Sequence, residues 1–190
     1  MSKHASLANS PKVSDWLDFA EDGDLTLHTG KVDIGQRITS ALVLIAAEEL
    51  NLSPDRIQVT RTQTGNSPNE GYTVGSLSMQ HSGYAINKAS ATARHILTAC
   101  AAEKFAVPTS QIEIEDGQLR AIGTNQSVTY WELLAQTPMT DDVDENAEGK
   151  DPTTNQLQGQ HHIARGMIDI MTGRYEFIED MHLPEMLHAR

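Results

Sequence analysis

The chain has 190 residues, 38% of them hydrophobic, and a formal net charge of -12 at pH 7, the size of one ordinary domain or one domain plus a fragment. With 14 basic against 26 acidic residues, non-specific nucleic-acid binding and attachment to an anionic membrane surface are disfavoured, because both need clustered Lys and Arg to displace counterions. The single cysteine, Cys100, excludes an intramolecular disulfide and any four-thiolate metal site or iron–sulfur cluster built from this chain.

The opening MSKHASLANSPK lacks the apolar core of a signal peptide and reads as a loose arm over residues 1–12. The longest apolar run, Ala41 to Ala47, is far too short to span a bilayer, so a cytoplasmic protein is expected. SDWLDFAEDGDLTLHTGKVDI alternates apolar and polar positions, with Asp22-Gly23 as the turn between two short strands. From Gln36 to Leu50, Ile38, Ala41, Leu42, Ile45, Ala46 and Leu50 recur at helical spacing and form one stripe. Pro54 disfavours helical geometry at Ser53 and closes that helix, after which RIQVTRTQTG reads as a strand.

NSPNEGYTVGSLSMQHSG, small and polar, leads into YAINKASATARHILTACAAEKFAV, the longest predicted helix. Ala85, Ala89, Ala93, Ile96, Leu97 and Cys100 or Ala101 give it a narrow stripe of small residues, and Cys100 reads as a small buried hydrophobe. QIEIEDGQLRAIG is a hairpin about Asp116-Gly117, and SVTYWELLAQ is a short helix capped by Ser127 or Thr129. Between Asp141 and Asp151 there are six acidic residues and one lysine, a composition that predicts a flexible, solvated linker over 138–162. It lacks the ligand spacing and glycine of a calcium-binding hand, and the adjacent imidazoles of His161 and His162 point apart, so no metal site is assigned. Residues 163–190 cluster apolar residues as strands do, but twenty-odd residues cannot make an independent core. They are expected to pair with the first domain or another chain, or to open a second domain. The expected organisation is an α+β domain over 1–137, with two main helices on a small mixed sheet, then the linker over 138–162 and an incomplete unit over 163–190.

Two places could hold chemistry. Gly30 to Arg37 is a strand-to-helix junction, where free N–H groups at a helix start attract anions and glycine permits close approach; Gln36 adds an amide that donates and accepts. A tight turn that simply needs glycine reads equally well. Thr73 to Ser78 is a second Gly/Ser loop feeding a helix, with Ser76 and Ser78 supplying hydroxyls; a solvated loop of small residues is the plainer reading. Neither matches the Walker pattern or the three-glycine dinucleotide fingerprint, and no serine is tied to a base by a recognised motif. No catalytic residue is assigned.

TGKVDIGQR, ALVLIAAEELNLSPDRIQV and PNEGYTVGSLSMQHSGYAI, in this order and spacing, resemble the molybdopterin-binding large subunit of the xanthine dehydrogenase/aldehyde oxidase family, in its isoquinoline oxidoreductase or nicotinate dehydrogenase variety. DIMTGRYEFIEDMHLPEMLHAR resembles the opening strands of that family's α/β hammerhead domain. By match of motif, the resemblance implicates Gly35, Gln36, Gly75, Ser76 and Ser78 in holding the molybdopterin cofactor. Gln36 is implied near the metal, and Ser76 and Ser78 at the phosphate or pterin. The family reaction is hydroxylation of an aldehyde or of a carbon beside a ring nitrogen, with a glutamate as base and with electrons leaving through an iron–sulfur small subunit.

The chain departs from the family pattern at Arg37, where glycine is usual. The family's catalytic glutamate and remaining cofactor loops belong to a C-terminal region not present in this sequence. An N-terminal portion of a molybdenum hydroxylase, inactive by itself and holding cofactor weakly or not at all, is therefore the leading expectation. The alternative is a free-standing module that oligomerises or binds a partner through residues 84–106 and 163–190; the third reading is a structural remnant with no ligand.

Overall fold

In the computed structural model, which describes residues 4–20, 23–136 and 138–187, the alternating run near the start becomes two short strands, β1 (Leu17–Phe19) and β2 (Leu25–Leu27). They pair antiparallel with Leu17 opposite Leu27. Asp22 of the expected turn lies outside the described residues. β2 pairs in parallel with β3 (Ile57–Val59), completing a mixed three-stranded sheet. β3 is much shorter than the expected strand over 56–65. Past Thr60 the side chain of Thr62 takes the carbonyls of Thr29 and Lys31 (3.1 and 3.3 Å), so a hydroxyl replaces the backbone ladder there.

The helical stripe after Gln36 forms α2 (Ile38–Leu50), and the long helix forms α3 (Tyr84–Phe105), preceded by a π-helical turn over Met79–Gly83. These two helices pack against each other and on the mixed sheet. Leu42, Ala46, Ala47 and Leu50 from α2 meet Ala85, Ala89, Ala93, Leu97 and Ala101 from α3 in one buried core with Trp16, Leu25, Leu27 and Ile57. The small-residue stripe of α3 is thus consumed inside the domain. The buried alanines are therefore unavailable to a second chain and drop out of the expected oligomer face over 84–106.

A second sheet was not expected. β4 (Ile112–Glu115) and β5 (Gln118–Ala121) make the Asp116-Gly117 hairpin, and β6 (Ser127–Thr129) adds antiparallel to β5. Thr129 then starts α4 (Tyr130–Leu134) through a reciprocal cap with Glu132. The Tyr130 hydroxyl donates to Leu50 O at 2.9 Å, Trp131 Nε1 donates to Asp24 O at 3.0 Å, and the Arg56 guanidinium lies 4.2 Å over the Trp131 ring. These contacts lock the hairpin layer to the first sheet. Among the described residues the fold is therefore α+β with two small sheets, not one. Among the described residues, no helix is long and apolar enough to cross a membrane.

The N-terminal residues do not form a loose arm: α1 (Ala5–Asn9) buries Leu7. The acidic segment is likewise packed, within the first compact unit, Met1–Gln160. Val143 N donates to Pro11 O (2.7 Å) and Asp144 N to Thr92 Oγ1 (3.0 Å), while Val143 and Ala147 are buried. Most of its acidic side chains face outward, Glu145 instead accepting from His4 N and the Tyr84 hydroxyl, and cations and carboxylates of α2 and α3 bind its backbone. Lys88 Nζ donates to Ala147 O (2.8 Å), Arg94 Nη2 to Glu148 O (3.0 Å), and Lys150 N to the Glu49 carboxylate. Composition therefore misread this stretch, because its anchors lie in other elements.

Glu48 holds the far end of the segment. Its carboxylate accepts from the backbone N–H groups of Gln156, Leu157 and Gln158 and from Lys150 Nζ. Burial alone would raise its pKa, but these hydrogen bonds hold it below the ordinary carboxylate value. A lowered folded-state pKa contributes stability that is present above the unfolded value and lost as pH falls through the folded one. Residues 150–158 are therefore expected to become protease-sensitive as the pH falls below the ordinary glutamate value, before α2 and α3 unfold. Limited acid proteolysis checks this, and simultaneous loss of both regions contradicts it.

The second unit, His161–Arg190, carries α5 (Met167–Met171) and a 3₁₀ turn over Ile178–Asp180. No strand forms among its described residues, which corrects the strand-like reading: a strand needs a hydrogen-bonded neighbour, and this segment supplies none. Ile168, Met171, Phe177, Ile178 and Leu187 remain exposed.

Candidate functional site

The first candidate loop continues β2 in phase. Leu25, Leu27, Thr29 and Lys31 all point inward and are buried, while Val32 to Gln36 are exposed. Gly35 has φ +103° and open space where a Cβ would be. The Gln36 side chain folds back on its own loop: Nε2 donates to Val32 O (2.9 Å) and Oε1 accepts from Ile34 N (2.6 Å). One N–H of that amide and one lone pair of its oxygen are left to face a ligand. Arg37 adopts a left-handed conformation (φ 59°) at the N-cap of α2 and makes no side-chain cap.

The start of α2 is not a vacant anion site. The Asp33 carboxylate accepts from Thr39 N (3.4 Å) and from the Thr39 hydroxyl. It occupies the position where an anion would gain from the free N–H groups and the helix dipole. This corrects the expectation that the helix start cradles an external anion.

The second loop enters the π-helical turn before α3. Gly75 (φ 63°) and Ser76 (φ 55°) are both left-handed, a conformation that costs a non-glycine residue of order 1 kcal/mol. Ser76 is exposed and Ser78 half-buried. Neither hydroxyl has a protein partner among the described residues.

The structure brings these loops side by side. Lys31, only 1% exposed, donates through Nζ to the carbonyls of Glu70 (2.7 Å) and Tyr72 (2.8 Å), and Val32 N donates to Thr73 Oγ1 (3.1 Å). The Glu70 carboxylate returns across the gap, accepting from Gly30 N (2.9 Å), Thr29 Oγ1 (3.1 Å) and Ser82 Oγ (2.7 Å) on Oε2, and from Ser6 Oγ (3.3 Å) on Oε1. Lys31, Glu70 and Asp33 were missed by the sequence reading. Lys31 was detectable, since it continues the inward phase of Leu25 and Leu27; Glu70, in a loop without periodicity, carried no signal.

Around the loop tips Val32, Ile34, Tyr72, Val74 and Met79 are exposed, so this face is a one-sided wall with an apolar rim. Among the described residues, no cluster of three or more His, Cys, Asp or Glu is arranged to hold a metal ion. What the wall offers a ligand is free hydroxyls at Ser76 and Ser78, half of the Gln36 amide, and two glycines without side chains. That donor set suits a polar, anionic organic group held by hydrogen bonds rather than by ligation.

Residues 2–181 match the family model described as the molybdopterin cofactor-binding domain. The chain is 32% identical over 175 residues to one of the subunits of nicotinate dehydrogenase from Pseudomonas putida, covering 92% of this chain and 15% of that protein. It is 32% identical over 135 residues to the beta subunit of isoquinoline 1-oxidoreductase from Brevundimonas diminuta, covering 67% of this chain and 17% of that one. The chain thus spans about a sixth of the length of these curated relatives. Among solved structures, CO dehydrogenase from Oligotropha carboxidovorans superposes with a TM-score of 0.54 at 24% identity, covering 62% of this chain and 15% of that one. Quinoline 2-oxidoreductase from Pseudomonas putida 86 gives 0.52 at 19%, covering 72% and 18%. At these identities the two structures show a shared fold.

Proposed function

The chain belongs to the molybdopterin cofactor-binding domain family, and on that premise we propose that it forms one wall of the cofactor site of a molybdenum hydroxylase acting on an N-heterocycle or an aldehyde. The observation that carries this reading is the juxtaposition of the two candidate loops through Lys31 and the Val32–Thr73 bond, with the free hydroxyls of Ser76 and Ser78 beside them. When bound, the molybdenum cofactor supplies the metal centre that oxidises the substrate carbon and accepts its electrons. The residues of this chain do the holding. Ser76 and Ser78 donate to the phosphate or pterin, Gln36 presents its remaining N–H near the metal, and Gly35 and Gly75 let backbone come close. Because Asp33 already fills the α2 start, the anionic end of the ligand belongs at the serine loop.

The names of the relatives, for nicotinate and isoquinoline, support an N-heterocycle as substrate. Both relatives are named as subunits, which supports a partner subunit; an iron–sulfur small subunit as the electron acceptor is what the motif resemblance implies. In this reading the catalytic base and the opposite wall come from the remainder of a longer large subunit, 138–162 connects to it, and 163–190 opens its hammerhead domain, whose strands form only against that remainder. A second reading, a partner-binding module without catalysis, is favoured by the exposed apolar side chains of the second unit.

The test is production of the 190-residue chain in cells that make the cofactor, followed by native mass spectrometry, metal analysis and pterin fluorescence. Substoichiometric pterin is expected, reduced at least about a hundredfold in a Ser76→Ala/Ser78→Ala variant through loss of two hydrogen bonds to a charged group. Equal retention by the variant removes the serine assignment, and no pterin in any preparation removes cofactor binding by this chain. No nicotinate turnover is expected; turnover would overturn the incompleteness of the site.

A further inference from the structure

We propose that Lys31 and Glu70 are reciprocal positioning residues that set the two candidate loops in register. Each side chain binds the backbone of the other's segment. The Lys31 ammonium, taken out of water, donates to the carbonyls of Glu70 and Tyr72, and an ammonium in such a place is tolerated only with its partners in position. The Glu70 carboxylate crosses in the opposite sense to Gly30 N, and its contact with Ser82 Oγ ties the same point to the turn that begins α3. Neither contact alone defines a register; the crossed pair does, because sliding one loop by a residue breaks bonds at both ends. Charge-assisted hydrogen bonds of this kind are among the stronger ones a protein makes. The consequence for a ligand rests on the cofactor reading above, whereas the register itself does not.

Hydrogen exchange on the full chain tests this with crossed reporters. In Lys31→Met the reporter is Gly30 N–H, which bonds Glu70 and not Lys31. In Glu70→Ala it is Val32 N–H, which bonds Thr73 and not Glu70. Each reporter is expected to exchange at least about tenfold faster, the size of one lost charge-assisted hydrogen bond, while amides in the centre of α3 are unchanged. Glu70→Gln keeps an acceptor toward Gly30 and Thr29 and gains a donor toward Ser6, so it is expected to restore most of the protection. Unmoved reporters overturn the proposal. General acceleration that includes α3, without rescue by Glu70→Gln, also overturns it, because the pair would then serve only bulk stability. Pterin content of the same preparations separates the two claims. Moved reporters with no pterin even in the unaltered chain uphold the register and sink the cofactor reading; retained pterin with unmoved reporters does the opposite.

Discussion

Replacing Gly30 by alanine is expected to destabilise the first unit by about 3 kcal/mol, from overpacking together with the loss of one charge-assisted hydrogen bond. A Cβ there would fall 2.1 Å from the Pro68 carbonyl oxygen and 3.2 Å from Cβ and Cγ of Glu70. The nearest obstacle is backbone, so no rotamer change relieves it. Segment 66–70 has to move, and the bond from Gly30 N to Glu70 goes with it. Urea unfolding reads this as a midpoint lower by about 1.5 M for a domain of this size. Gly35→Ala is the internal contrast. Nothing lies within 4 Å of its added Cβ, so only the strain of φ +103° remains, of order 1–2 kcal/mol. A Gly30→Ala midpoint no lower than that of Gly35→Ala would refute the close-approach argument.

Glu49→Ala is expected to cost about as much, roughly 3 kcal/mol, by leaving a cation uncompensated. The Glu49 side chain is 6% exposed and pairs with Arg94, itself 17% exposed, at 2.8 Å; it also accepts from Lys150 N at 3.1 and 3.2 Å. Truncation strands the Arg94 guanidinium and a backbone N–H in one step. The remaining exposure of Arg94 keeps the expected cost at the lower end of the range for buried pairs. A double-mutant cycle with Arg94→Met is expected to show coupling above about 1 kcal/mol. Because Arg94 also donates to Glu148 O, the double variant does not recover fully. Residues 141–158 should lose protection from proteolysis in both single variants, and a loss below about 1 kcal/mol with that segment still protected would mean that its other anchors, among them Glu48, Lys88 and the buried Val143 and Ala147, hold it without Glu49.

The parts of the fold legible in the sequence are those whose determinants lie within a few residues. α2 and α3 were found because their core positions recur at helical spacing, and the β4–β5 hairpin because Asp116-Gly117 supplies two consecutive positive-φ positions. Thr129 was legible as one of two candidate caps, with Ser127, and its partner Glu132 three residues on decides between them. β6 was not legible, since its three residues are a strand only because β5 offers them an edge. The acidic segment was misread for a related reason. Its charge count describes outward side chains, whereas its placement depends on Glu48, Glu49, Lys88 and Arg94, which lie about 50–100 residues earlier in the chain.

The candidate site divides in the same way. Gly35, Gln36, Gly75, Ser76 and Ser78 could be picked out by residue type and motif; of these, Gly35, Gly75 and Ser76 have positive φ. That the α2 start is filled by Asp33, and that Lys31 and Glu70 join the two loops, were not in the pattern. By itself the sequence determined α2, α3 and α4, the hairpin, the class of fold and, through its motifs, the family. Only the tertiary structure decided how the two loops are joined, because a buried ammonium and a half-buried carboxylate some forty residues apart acquire partners only when the chain closes on itself, and no local period records that closure.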